Sequence, residues 1–146
     1  MPGPQFDHEK LRAYQEALRF AAWVKPLLEK LPAKLAARDQ LDRASTSVPL
    51  NIAEGNGKRS HPDRCRFLDI ARGSAVECAA CLDVLAVKRR IAQAEAEEGK
   101  TILLAVVSLT AGLIARFSGS VEEETAPYLT DSPERENENE KENENE

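Results

Sequence analysis

Basic side chains are the residues of this sequence whose types and spacing most directly suggest a chemical role, the binding of phosphate. One group consists of Lys58, Arg59, Arg64 and Arg66, and a second of Lys88, Arg89 and Arg90. With Asp63 as the one acid among the first group, each group carries a net charge of +3, and affinity for a phosphate backbone grows with such summed charge. No aromatic residues interleave with these cations for base stacking, so solvated helix ends remain the alternative interpretation.

A second candidate site is polar. Its members are Asn51, Glu54, Arg72 and Glu77, together with Arg59 and Arg66 of the basic group. Asn51 and Glu54 are three residues apart and share a helix face, and Arg66 and Glu77 lie three turns apart on nearly one face of the next helix. The set predicts either a network that stabilises the chain around Pro49 and the following turn, or a pocket for a ligand or RNA phosphates.

The cysteines do not form a metal or redox motif. Cys78 and Cys81 are one helical turn apart, but no second pair follows, and His8 and His61 are remote in sequence. We therefore expect core packing and no metal. The glycine-rich segment 55–60 follows no strand, so it is not a phosphate loop, and no nucleophile and base stand in a catalytic arrangement. The sequence predicts no cofactor and no enzyme.

The elements that position these residues are four helices. The patterns place them at about Asp7–Leu31, Ala36–Glu54, Ser60–Lys88 and Gln93–Ser118. Apolar residues make up 42% of the chain and recur at steps of three and four, whereas alternating β-branched runs are absent. Ser60, with Pro62 and Asp63 after it, has the pattern of a helix start. The fold class is therefore all-α.

Inward-facing residues follow from the same spacing. The first helix is predicted to bury Leu11, Tyr14, Leu18, Ala21, Val24 (or Trp23), Leu28 and Leu31. The second is predicted to bury Leu41, Ala44, Val48 and Ile52, and the third Phe67, Ile70, Ser74, Cys78, Cys81 and Leu85. Pro26 and Pro49 lie inside the first and second helices, where each removes a helical hydrogen bond. At Pro49 both a kink and a break with Ser47 as a new cap fit the sequence.

The fourth helix is apolar on more than one face. One face carries Ile102, Val106, Leu109 and Leu113, and the other Leu103, Val107, Ile114 and Phe117. A single bundle of this size cannot cover both faces, so we expect part of this helix to pack against other subunits. The uncharged stretch 101–115 spans roughly 22 Å of helix, short of the ~30 Å that a membrane requires, so we expect a cytoplasmic protein without membrane contact.

The charge of the chain divides it into two parts. Residues 121–146 hold eleven acids against Arg135 and Lys141, so the first 120 residues keep a net charge of +4 although the whole chain has −5. The end of the chain is a repeat of Glu and Asn without apolar residues. The sequence thus predicts a helical domain over 1–120 and a disordered acidic tail over 121–146, which either aids solubility or competes with nucleic acid.

Three segments together resemble a known family. They are Asp39–Ala44 (DQLDRA), Ser47–Gly55 (SVPLNIAEG) and Arg66–Glu77 (RFLDIARGSAVE). Over about residues 6–118 the chain resembles the bacterial four-helix-bundle proteins first noticed as reading frames in intervening sequences of 23S rRNA genes. The resemblance implies an up-down-up-down bundle that assembles into a barrel-like homopentamer, a link to nucleic acid and no established catalysis.

Together these observations predict a non-catalytic oligomeric adaptor. It would contact nucleic acid, RNA rather than DNA, through the two basic groups, which a ring of subunits would gather at its rims. A protein-binding scaffold without nucleic-acid contact remains the alternative. The two differ in salt dependence, because phosphate binding weakens steeply with salt and an apolar interface does not.

Overall fold

The computed structural model describes Gly3 and residues 5–119, and these residues form a four-helix bundle. A short 3-10 turn at Asp7–Lys10 precedes α1 (Arg12–Lys30), α2 (Ala36–Asn56), α3 (His61–Val87) and α4 (Gln93–Phe117), and no strand occurs in the described range. Each helix packs on the next and α4 packs on α1. Since the connections are short, neighbouring helices run antiparallel, which confirms the predicted fold class. The predicted tail, 121–146, lies outside the described residues.

Local signals account for most helix ends. Ser60 Oγ accepts a hydrogen bond from the backbone N–H of Asp63 at 3.1 Å, as an N-cap should, and Pro62 occupies the first turn of α3. The first predicted helix starts later than expected, because Leu11 is extended (ψ 129°) and separates the 3-10 turn from α1. At the end of α3, Arg89 adopts a left-handed φ of 59°.

The core corrects two of the predicted inner faces. In α1, Leu18 is exposed, and the buried stripe runs instead through Ala13, Ala17 and Phe20 before it rejoins the predicted one at Val24. In α3, Ile70 is exposed and Phe67 is half-buried, and the buried residues are instead Leu68, Ala71 and Ala75. Alanines allow neighbouring helices to approach closely, so the small-residue face is the buried one. The predicted inner face of α2 is confirmed, with Leu41, Ala44, Val48 and Ile52 all buried.

Both internal prolines are accommodated within continuous helices. Pro26 lies in α1 and Pro49 in α2, and neither ends its helix. The alternative of a break at Pro49 with Ser47 as a new cap is therefore wrong. Val48 and Ile52 on either side of Pro49 are buried in the core, and this packing keeps α2 in register across the missing hydrogen bond.

Helix α4 uses only part of its apolar surface inside the bundle. Ile102, Leu103, Val106 and Ile114 are buried, and Val107, Leu109, Leu113 and Phe117 are half-buried. Leu104 points outward with 67% of its surface exposed. By length and composition alone, α4 is also the one described helix that could cross a membrane, a test that core helices of soluble proteins pass as well.

Candidate nucleic-acid interface

The first basic group lies where the α2–α3 turn meets the end of α4. A close approach of helices forms this corner: a Cβ added to Gly55 would lie 3.1 Å from the Cβ of Phe67 and 3.2 Å from the carbonyl oxygen of Arg64. Gly55 is thus the point at which α3 folds tightly back on α2. Cys65 lies on the α4 side of the corner, and its Sγ is 3.6 Å from the carbonyl oxygen of Ile114.

Two phenylalanine rings organise the cations at this corner. Lys58 Nζ lies 4.9 Å and the guanidinium carbon of Arg66 4.7 Å from the centre of the Phe67 ring. The guanidinium carbons of Arg64 and Arg116 lie 4.9 and 5.6 Å from the centre of the Phe117 ring. A cation over an aromatic face is held by the ring's quadrupole while its outer side stays open to solvent.

Additional contacts join the two rings into one unit. Arg64 Nε donates a hydrogen bond to the carbonyl oxygen of Lys58 at 2.8 Å. Because Arg64 lies over Phe117 and Lys58 over Phe67, this bond links the two rings. His61 packs beside Phe117, with ring centres 5.3 Å apart. We refer to the cations Lys58, Arg64, Arg66 and Arg116 with their two rings as the Phe67–Phe117 cluster. Arg59 is exposed beside it.

Carboxylates neutralise little of this charge. Arg66 pairs with Asp63 at 3.7 Å, and both side chains are more than half exposed, so this ion pair is weak. Among the described residues, Lys58, Arg64 and Arg116 form no ion pair. The cluster therefore presents uncompensated positive charge at one end of the bundle.

Sequence reasoning missed three members of this cluster, Phe67, Arg116 and Phe117. The interpretation that aromatic residues do not interleave with the cations is correct along the chain but wrong in space, because Phe67 and Phe117 lie among them. Arg116 and Phe117 were missed because α4 brings them from about fifty residues away. The one signal in the sequence was that Arg116 directly precedes Phe117 at the end of α4, where a cation and an aromatic ring stand side by side.

The second basic group, Lys88–Arg90, is exposed at the C-terminal end of α3. Since α3 starts at the Phe67–Phe117 cluster and is 27 residues long, about 40 Å of helix separates the two sites. They therefore lie at opposite ends of the bundle, as the sequence predicted.

The predicted polar set does not form one network. Asn51 Nδ2 donates to the carbonyl oxygen and to Oγ of Ser47, at 2.9 Å each, and Ser47 Oγ lies 2.8 Å from Ser74 Oγ. These bonds join α2 to α3. Glu77 borders a groove of about 370 Å³ beside the two serines. Within the described range, the side chains of Glu54, Arg72 and Glu77 are exposed and form neither a hydrogen bond nor an ion pair.

The cysteines belong to the packing of the bundle. Cys78 and Cys81 are buried and all three thiols are free. Burial, together with the nearby Cys81 and Glu77, raises the pKa of the Cys78 thiol to about 12. In residues 3 and 5–119, groups of three or more His, Cys, Asp or Glu that could hold a metal ion are absent.

Comparison with known proteins identifies the family. Residues 9–112 match the family model of the 23S rRNA-intervening sequence protein. The chain belongs to this family. The fold is similar to a crystal structure of a protein with unknown function from the S23 ribosomal protein family of Bacteroides thetaiotaomicron VPI-5482. The TM-score is 0.66 and the identity 24%, over 70% of this chain and 97% of that chain. No curated protein sequence matches.

The family match covers only part of the Phe67–Phe117 cluster. Its first part, Lys58 to Phe67, lies within the segment that matches the 23S rRNA-intervening sequence proteins, and so does Lys88–Arg90. Arg116 and Phe117 lie beyond residue 112. The positive charge at this corner is thus built from the family segment and from the end of α4 that follows it.

Proposed function

We propose that this protein is a non-catalytic, oligomeric adaptor that binds the phosphate backbone of RNA through the Phe67–Phe117 cluster with Arg59 and through Lys88–Arg90. The observation that carries the proposal is the cluster itself, in which Lys58, Arg64 and Arg116 have no ion pair among the described residues and rest on aromatic rings. The cations are oriented before any ligand arrives, so less side-chain entropy is lost on binding.

The geometry favours contact with phosphates over reading of bases. The faces of Phe67 and Phe117 already carry cations, whereas base stacking would need a free ring face. Guanidinium groups present several donors to phosphate oxygens, and such contacts position a nucleic acid without reading its sequence. The family description refers to an intervening sequence of 23S rRNA, which favours RNA over DNA. We place the protein in the cytoplasm, where such an RNA is found.

The proposal is tested by fluorescence anisotropy with a labelled RNA hairpin at 50 and 200 mM salt. The test variant is Arg59→Gln with Arg116→Gln, because neither side chain forms a hydrogen bond or an ion pair within the described range. The matched control, Arg19→Gln with Lys25→Gln, removes two exposed cations from α1. We expect the test variant to bind at least tenfold more weakly, with a smaller dependence on salt, and the control to bind as the natural protein does. Equal affinities for the two variants would refute the proposed interface.

A protein-binding scaffold is the second candidate, and one groove favours it. Between α3 and α4 a largely apolar groove of about 450 Å³ is lined by Val76, Ala79, Leu104 and Val107 among others. Val76 and Leu104 are 54% and 67% exposed, so the groove offers apolar surface to a partner. A partner bound there would respond little to salt.

The same groove bears on the oligomer, for which we propose the homopentamer that the family resemblance implies. Leu104→Glu is the better substitution for a test than Ile114→Glu, because Ile114 is buried inside its own protomer and its replacement would unfold the bundle. If subunits cover the groove, Leu104→Glu lowers the mass in light scattering and the natural protein does not bind an apolar dye. If the groove is open for another protein, the dye binds and Leu104→Glu leaves the mass unchanged.

A further inference from the structure

We infer that the acidic segment 121–146 of the chain occupies the Phe67–Phe117 cluster in the free protein and that RNA must displace it. The inference concerns regulation of the proposed interface, and its second half rests on the proposed function. Its first half, the contact between the segment and the cluster, stands on the position of the cluster, the end of α4 and the charges of both partners.

The end of α4 brings the acidic segment to the cluster. Arg116 and Phe117, the last residues of α4, are themselves part of the cluster. Gly119 follows with a left-handed φ of 81°, which turns the chain away from the helical path. The acidic segment therefore starts next to the uncompensated cations.

Covalent reach restricts the nearest acids to this end of the bundle. Glu122, Glu123 and Glu124 follow Gly119 by three to five residues, which span at most roughly 10–18 Å when fully extended. Helix α4 has 25 residues, about 37 Å, so the far end of the bundle with Lys88–Arg90 is beyond their reach. The first three acids can meet the near cations and not the far ones.

The charges of the two partners are complementary. Segment 121–146 carries eleven acids against Arg135 and Lys141, a net charge of −9. The cluster holds Arg64 and Arg116 without carboxylate partners in the described range. Because the segment is tethered to the cluster, its local concentration is high and does not depend on the concentration of the protein. The attraction is screened at high salt.

The experiment compares the natural protein with two variants that keep the whole chain. In the first variant, the ten Glu of segment 121–146 are changed to Gln and Asp131→Asn is added, so that chain length is kept. A second variant changes only Glu122–Glu124 to Gln and isolates the nearest acids. Backbone amide resonances report the contact, and anisotropy with the RNA hairpin reports competition.

The expected result has two parts. Neutralising Glu122–Glu124 alone shifts the resonances of Lys58, Arg64, Arg66 and Arg116 and leaves those of Lys88–Arg90 in place. The shifts vanish at 0.5 M salt, where the screening length is on the order of 4 Å. The variant with the whole segment neutralised also binds RNA about tenfold more tightly than the natural protein at 50 mM salt. This factor is expected if the segment leaves the cluster free in about a tenth of the natural molecules.

Other outcomes separate this inference from the proposed function. Unchanged resonances at the cluster would refute the contact, whatever the RNA does. Shifted resonances with equal RNA affinities would overturn the competition. Shifted resonances with no RNA binding by either protein would support the contact and refute the proposed function.

Discussion

Replacing Arg89 by glycine should make the protein more stable although it removes a cation from the proposed interface. Arg89 has a φ of 59° at the end of α3, a conformation that favours glycine. Its N–H donates to the carbonyl oxygen of Ala86 at 3.0 Å, and the N–H of Arg90 donates to that of Leu85 at 2.8 Å. These are the two hydrogen bonds of a Schellman helix end, whose left-handed position is usually glycine. Arginine here carries backbone strain.

The magnitude follows from two opposing effects. A left-handed conformation costs a residue with a Cβ about 1–2 kcal/mol, which Arg89→Gly would relieve. Glycine loses about 0.5–1 kcal/mol more conformational entropy on folding than other residues. Both hydrogen bonds involve backbone groups and are retained. The free energy of unfolding should therefore rise by about 0.5–1 kcal/mol, which corresponds to about 2–6 °C in Tm for a domain of this size.

Arg90→Gly is the matched control. It removes the same charge from the adjacent residue, which does not have a positive φ, so it relieves no strain and should lower stability by about 0.5–1 kcal/mol. Urea unfolding measures stability, and RNA anisotropy measures binding. We expect opposite signs in stability and a similar loss of RNA affinity for the two variants. If Arg89→Gly were no more stable than Arg90→Gly, the account of strain at Arg89 would be wrong.

Two further predictions concern the core. Gly99→Ala would place a Cβ 2.6 Å from the ring of Trp23. It should lower the free energy of unfolding by about 1 kcal/mol, because overpacking outweighs the gain in helix propensity. At Gly73 an added Cβ would meet no atom within 4 Å, so Gly73→Ala should raise the free energy of unfolding by a similar amount. Similar urea midpoints for both would contradict this. Because the pKa of Cys78 is raised to about 12, its thiol stays protonated in the folded protein while the unfolded chain ionises near 9.0. Stability should therefore fall as pH rises from about 9 to 12, less steeply in Cys78→Ala, and parallel pH profiles would refute the assignment.

The fold was largely predictable because its signals are local. Ser60 and Pro62 mark the start of α3, Pro32 follows α1, and the spacing of Leu41, Ala44, Val48 and Ile52 identifies the buried face of α2. Such signals involve residues within a few positions of one another.

The inner faces of α1 and α3 were harder to predict because each helix has two apolar stripes. Large side chains such as Leu18 and Ile70 suggest burial by size, yet the structure buries Ala17 and Ala71 and leaves the large ones exposed. Which stripe is buried depends on the distance between helices, which periodicity does not contain.

The candidate site was predictable only in its first half. Lys58 and Arg66 lie close to Phe67 in sequence, whereas the contact of Arg64 with Phe117 joins the start of α3 to the end of α4. Pairing across such a separation requires the register of the two helices. The predicted polar network does not form for a related reason, since Glu54, Arg72 and Glu77 share helices with Asn51 and Ser74 but their side chains are exposed to solvent.

The contact of Trp23 with α4 has a kinetic consequence. Among the described helices, three of the four extensive interfaces join neighbours in sequence, and the fourth, between α1 and α4, joins the first helix to the last. It requires the largest loop closure and should form last in folding. The chain has one tryptophan, which lies in that interface against Gly99 and donates from Nε1 to Glu98 Oε1 at 2.9 Å. The intrinsic fluorescence of the natural protein therefore reports the closing step of folding without any added label.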